Sequence, residues 1–311
     1  MHADAGLSAL TKKHAALPWK ICLIIIALQT PLVAYFLMHP VAFQWSNVIT
    51  AGTVTDLGTA QHRFLDVRTA LGKIPYNSTA QVFAINPPDR YQRTIIEGNG
   101  NCSNFVNGLA YQLIHDGVSF QIAHFLHIED FLRGVGHSAL NVPYEIDGQH
   151  HIGIVDVAEG GIPMMKSRNL TLADLAAGGL HDVTIEPLNS RQDRASPYYG
   201  PFLDGSILGI MDGAATARYF RFLERIYVPL GGRKLETYMY RGLAIVFALY
   251  PPVVVTAADY EKLFAGHRPV RVAARTLTAL LRIDAVLAFS APIVLLGWLL
   301  FRIIGNRTAL T

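Results

Sequence analysis

The sequence predicts an α+β fold carrying flanking transmembrane helices. Three observations carry this expectation. A helical pattern opening at Cys102 is followed by successive strand patterns with a hairpin turn between the last two. Long uncharged apolar runs lie near both ends. Mean hydropathy is +0.29, and only 16% of residues are charged, against roughly 25% in ordinary globular chains. Part of this chain is built for lipid.

With 311 residues the chain is long enough for one or two domains with sizeable cores. A formal charge of +3 is too small to argue for nucleic acid, and the basic residues sit beside apolar runs rather than along a stripe. Two cysteines cannot build a disulfide framework. Cys22 falls in a predicted membrane span and Cys102 in a predicted soluble region, so Cys102 reads as a free thiol.

Residues 1–20 contain Lys12, Lys13 and Lys20 and are expected to stay in the cytoplasm. The run 21–38 is uncharged and about long enough to cross roughly 30 Å of hydrocarbon. A cleaved signal peptide is the competing reading, but His39-Pro40-Val41-Ala42 lacks a small-x-small cleavage site. Residues 39–240 are then extracytoplasmic, with a folded core at about 76–165. The run 242–258 is uncharged, broken by Pro251-Pro252, and is expected to be a second transmembrane helix. Residues 259–284, with Lys262, Arg268, Arg271, Arg275 and Arg282, form a basic cytoplasmic loop. The run 285–301 is a further transmembrane helix, and 302–311 is a tail. If 242–258 is instead a buried core helix, two spans remain. Localisation in a cell membrane, the inner one if bacterial, follows under both arrangements.

Within the soluble segment, Gln44 to Gly72 shows no clear periodicity and reads as a stalk. Gln81-Val82-Phe83-Ala84-Ile85 reads as a short strand stopped by Asn86-Pro87-Pro88-Asp89. From Cys102, the residues Phe105, Val106, Leu109, Ala110 and Leu113 recur at helical spacing, and Asp116-Gly117 ends the pattern. Val118 to Leu126, His137 to Val142 and Ile152 to Val157 read as strands. Asp147-Gly148 marks a hairpin between the last two. Leu170 to Leu175 reads as a short helix ended by Gly178-Gly179. Ser196 to Gly213, rich in Gly, Pro and Tyr, reads as a loop over the site. Ala214 to Tyr227 reads as an amphipathic helix. Tyr198 and Tyr199 read first as loop packing and second as substrate contacts.

Gly100-Asn101-Cys102 puts a thiol at a helix start, where the positive dipole end favours a thiolate. His137 on a later strand supplies an imidazole to exchange protons, and Asp156 on its hairpin partner orients that ring. His115, His124, His127, His150 and His151 are competing bases, and Glu129, Asp130 and Asp147 competing orienters. Glu129 and Asp130 lie before His137 and Asp147 lies in the turn, which favours Asp156 as orienter, while His137 is preferred to the other histidines on the motif resemblance below. His150-His151 lacks the further ligands of a zinc site, so no metal and no cofactor is expected. An oxyanion donor would pair the Cys102 N–H with Gln92, Asn99 or Asn101.

Together, Gly100-Asn101-Cys102, His137-Ser138-Ala139-Leu140-Asn141-Val142 and Gly153-Ile154-Val155-Asp156 resemble the transglutaminase-like superfamily of papain-like cysteine enzymes. The resemblance covers roughly a fifth of the chain, from Gly98 to Val157. It departs from the family pattern in having Ser138 after the histidine and Val157 after the aspartate. It implies a papain-like core, with a nucleophile helix packed on an antiparallel sheet. It also implies a Cys102–His137–Asp156 triad for acyl transfer or amide and ester hydrolysis. The partners expected are the lipid bilayer, a peptide, protein or polymer acyl substrate in the cell envelope, and envelope-complex proteins; nucleic acid is not among them. The alternative is a catalytically inactive module that binds or scaffolds an envelope assembly.

Overall fold

The computed structural model describes residues 47–49, 63–75, 84–127, 136–178, 182–189, 198–199, 201–247 and 249–256, together with isolated positions elsewhere. It is a mixed α+β structure. A seven-stranded sheet runs in the order β1-β10-β9-β3-β4-β2, with β5 also paired to β4. Its strands are β1 (Asn47–Ile49), β2 (Leu65–Asp66), β3 (Gln121–His127), β4 (Gly136–Ile146), β5 (Gln149–Val155), β9 (Ser206–Asp212) and β10 (Val253–Thr256). A smaller sheet of β6 (Gly161–Met165), β7 (Arg168–Asn169) and β8 (Val183–Pro187) has the order β7-β6-β8. The helices are α1 (Val67–Gly72), α2 (Pro87–Tyr91), α3 (Cys102–Asp116), α4 (Leu172–Ala177), α5 (Pro201–Asp204), α6 (Gly213–Ile226) and α7 (Arg233–Val246).

Helix α3 begins at Cys102 because Asn101 and Asn104 cap it reciprocally. Asn101 Oδ1 accepts the Asn104 N–H at 3.0 Å, and Asn104 Oδ1 accepts the Asn101 N–H at 3.1 Å. The helix ends at Gly117, whose φ of 69° is the left-handed conformation that glycine adopts without a Cβ penalty. Its buried stripe is Phe105, Val106, Leu109, Ala110 and Leu113, the residues whose spacing predicts it. That stripe packs against Ile122, Leu140, Val142 and Tyr144 from one face of the sheet. The opposite face, with Ala123, Phe125, Ala139, Leu208 and Ile210, packs against Ile154, Leu170, Leu172 and Tyr199. Both faces of the central strands are therefore covered.

The hairpin forms where expected. Asp147 (φ 50°) and Gly148 (φ 75°) make the two-residue left-handed turn whose twist suits flanking strands. It pairs β4 with β5 in the register Leu140↔Val155 to Ile146↔Gln149.

Several expectations are corrected. The run 242–258 is not a membrane helix. It is the end of α7, a break at Pro251-Pro252, and strand β10, which pairs antiparallel with β9 and parallel with β1. A central strand covered on both faces is apolar at nearly every position, and joined to a helix end it mimics a span. The buried-helix alternative holds only for the first residues of the run, where α7 reaches Val246 with Ala244 fully buried. The span expected over 242–258 is thereby removed, and most of the basic segment 259–284 lies outside the described residues. No helix among the described residues is long and apolar enough to cross a membrane; most of 21–38 and 285–301 lies outside those residues.

The proposed stalk contributes Leu65, Val67 and Leu71 to the core. Val82, Ala84 and Ile85 are not in a strand. They form an irregular segment held by Asn104, whose Nδ2 donates to the Val82 carbonyl at 3.0 Å. Pro87-Pro88 starts α2 rather than ending an element, because proline suits the first helical turn. Ser196 to Gly213 contains not only a loop but α5 and the central strand β9. The core is wider than 76–165, since β1, β2, β9 and β10 all belong to its sheet.

Candidate active site

Cys102 is the first residue of α3 and is partly exposed. Its thiol points to the Gly136 carbonyl, with Sγ 3.8 Å from that oxygen. Gly136 opens β4, so the next residue, His137, is brought to the same place. Asp156 stands one position beyond β5, opposite Ala139 by continuation of the hairpin register and diagonal to His137. A bridge holds it there: the Asp156 N–H donates to the Gly161 carbonyl at 2.9 Å, and the Gly161 N–H donates back at 3.1 Å.

The result is a fully buried pair. His137 Nε2–H donates to Asp156 Oδ2 at 2.6 Å, and both side chains have no solvent exposure. Asp156 Oδ1 accepts the Glu159 N–H at 2.9 Å, and Oδ2 also accepts the Tyr199 hydroxyl at 2.8 Å. Burial raises the Asp156 pKa, but the His137 charge and these hydrogen bonds outweigh it and hold it below the usual range. For His137, burial works against the charged form. The charge and hydrogen bond of Asp156 prevail, with help from Cys102, and push its pKa up to about 10. With Nε2 committed to Asp156, buried Nδ1 has no fully formed hydrogen bond among the described residues. It is the nitrogen left for Cys102.

Two tyrosines complete the surroundings. Tyr198 lies flat on the His137 ring, with centroids 3.9 Å apart and planes 7° from parallel. Tyr199 is buried, and burial together with the Asp156 charge raises its pKa well above the ordinary value, so it remains a neutral donor. Both contact the triad itself, beyond the loop packing that the sequence favoured. No spacing rule reaches them, because they arrive from a distant segment.

The other candidates are placed elsewhere. His115 lies 3.7 Å from Glu224 at the far end of α3. His124 Nδ1 is 2.8 Å from Ser138 Oγ. His127 packs on Phe202, His150 stacks on Phe64, and His151 lies against Tyr144. Asp147 is paired with Arg68 in the exposed turn, while Glu129 and Asp130 lie outside the described residues. Among the oxyanion candidates, Asn101 adjoins Cys102, but its Oδ1 caps α3. The Asn99 N–H donates to the Arg93 carbonyl at 2.9 Å. Gln92 is exposed at the start of the π-helical turn Gln92–Ile96. The Cys102 N–H, in the first turn of α3, has no partner within the helix ladder and is the better-placed donor.

This fold and site define an α+β protein with a thiol, an imidazole and a carboxylate assembled in one place. No family model, curated protein or solved structure matches the chain.

Proposed function

We propose that this protein is a transglutaminase-like, papain-like cysteine enzyme that performs acyl transfer or amide and ester hydrolysis through Cys102. The observation that carries the reading is the buried His137–Asp156 pair, held at 2.6 Å, beside a partly exposed thiol at a helix N-terminus. Asp156 fixes the ring with Nε2 protonated, so Nδ1 faces the nucleophile.

In the first half-reaction the sulfur of Cys102, its proton already held on His137 Nδ1, attacks the acyl carbon. The oxyanion is met by the Cys102 N–H. As the tetrahedral intermediate collapses, His137 returns the proton to the leaving amine or alcohol, leaving a thioester on Cys102. In the second half-reaction, water or an amine or hydroxyl acceptor loses a proton to His137 while attacking the thioester, and the thiol is regenerated. The substrates in this reading are envelope peptides, proteins or polymers. The runs 21–38 and 285–301 act as two membrane anchors, with the domain extracytoplasmic between them.

A thiol-reactive acyl probe tests this directly. Wild-type protein is expected to be labelled at Cys102, with labelling lost in Cys102→Ala and reduced at least a hundredfold in His137→Ala. Equal labelling of wild type and Cys102→Ala overturns the assignment and favours a silent binding module.

A further inference from the structure

The chain between α6 and α7 presents apolar side chains outward on a backbone whose donors are all in use. Val228 is 61% exposed, Leu230 is exposed beside it, and Leu235 and Met239 stand out from the first turns of α7. The Tyr227 N–H donates to the Leu223 carbonyl at 2.9 Å. The Val228 N–H donates to the Tyr240 hydroxyl at 2.7 Å, and that hydroxyl donates to the Val228 carbonyl at 2.8 Å. Pro229 has no N–H. The Leu230 N–H donates to Glu236 Oε1 at 2.8 Å, while Glu236 Oε2 accepts the Tyr227 hydroxyl at 3.0 Å.

Glu236 and Tyr240 are buried and stand one turn apart on α7, where the loop crosses it. Leu235 and Met239 each precede one of them by a residue, so they border the loop along the helix. In water a surface loop needs no such arrangement, because solvent satisfies its N–H groups. A loop that enters lipid must have them satisfied by the protein. Large apolar side chains held outward on a backbone of that kind suit insertion.

The charge around the loop is positive. Arg218, Arg221 and Arg225 are exposed on α6 at helical spacing, and Arg225 lies three residues before Val228. Glu224, the acid among them, lies 3.7 Å from His115 of α3. Arg233 and Lys234 follow the loop in sequence. Two copies of this surface face to face would oppose like charges. An anionic phospholipid surface supplies both an apolar interior and a countercharge.

We propose that the loop Tyr227–Leu230, with Leu235 and Met239, inserts into the interface of an anionic phospholipid bilayer and fixes the orientation of the domain on it. This surface takes no part in the chemistry at Cys102 and does not depend on it.

The test uses full-length protein carrying Cys22→Ser and Cys102→Ala, with Val228→Cys as its sole thiol, labelled there with the environment-sensitive fluorophore NBD. It is reconstituted into vesicles of phosphatidylcholine alone, or of phosphatidylcholine and phosphatidylglycerol in equal parts, each with and without a doxyl-lipid quencher. Leu230→Cys gives a second site, and Gln149→Cys, exposed beside the β4–β5 turn, gives a reference. In anionic vesicles the labels at 228 and 230 should be blue-shifted and quenched by the doxyl lipid at least about twofold more than the label at 149. Arg221→Gln combined with Arg225→Gln, or about 1 M salt, should weaken docking about tenfold, read as lost quenching. Labels at 228 and 230 that stay as wet as the one at 149 overturn the proposal. Equal quenching in neutral vesicles overturns the anionic-lipid assignment. A blue shift without lipid quenching shows that protein covers the loop, a second copy or a partner, and overturns insertion. Acyl-probe labelling of Cys102 is measured on separate protein, so either reading can fail while the other stands.

Discussion

The Tyr199 hydroxyl donates to Asp156 Oδ2 at 2.8 Å, the same oxygen that accepts the His137 Nε2–H. One buried carboxylate oxygen thus takes both a neutral and a charged donor, and the Tyr199 hydroxyl reaches His137 through Asp156. Tyr199→Phe keeps the ring and removes the donor. It should cost about 1–2 kcal/mol of stability, read as a lower denaturant midpoint. The rate of Cys102 alkylation by iodoacetamide at pH 7 should change less than about threefold, since the His137–Asp156 bond remains.

The raised His137 pKa sets a pH dependence with a definite sign. Its folded value of about 10 lies above the ordinary 6.5. The stability it contributes is therefore complete below pH 6.5 and is lost as pH rises from there through about 10. Asp156 works in the opposite sense: its contribution is present above its ordinary 3.8 and is lost as pH falls through its lowered folded value. Denaturant titrations across pH should show both limbs. An imidazole NMR titration should find His137 protonated until about pH 10.

Asp156→Asn removes the charge that opposes burial at His137. The ring's midpoint should fall below 6.5, because burial alone disfavours the imidazolium. Cys102 alkylation at pH 7 should slow by at least tenfold. An unchanged midpoint in the NMR titration would show that Asp156 does not hold the proton on the ring.

Asn101 holds the first turn of α3, and with it the position of Cys102. Asn101→Ala should destabilise the protein by about 1 kcal/mol and slow alkylation several-fold as the helix start frays. Asn101→Asp can still accept from the Asn104 N–H and should retain most of both. Thermal unfolding and the alkylation rate measure the two effects separately.

Strand β10 gives a test of the corrected boundary. Val255 is fully buried and paired opposite Gly209. Val255→Asp should cost more than about 3 kcal/mol by burying a charge, read as loss of cooperative unfolding and rapid proteolysis of the domain. A span through 242–258 would instead leave the folding of the domain unaffected.

The sequence by itself determined the local elements whose signals are local. Asn101, Asn104 and Gly117 mark the ends of α3, its apolar spacing marks its buried face, and Asp147-Gly148 marks the hairpin. Those elements were enough to rank Cys102, His137 and Asp156, because a helix start and two strands of one hairpin place side chains by short-range rules. Tertiary structure decided the rest. Strands β9 and β10 are covered on both faces, so they lack the alternation that announces a half-exposed strand, and they read as a loop and a membrane span. Tyr198 and Tyr199 reach His137 and Asp156 across more than forty residues of chain. Such meetings depend on how whole elements pack, and no periodicity within a segment encodes them.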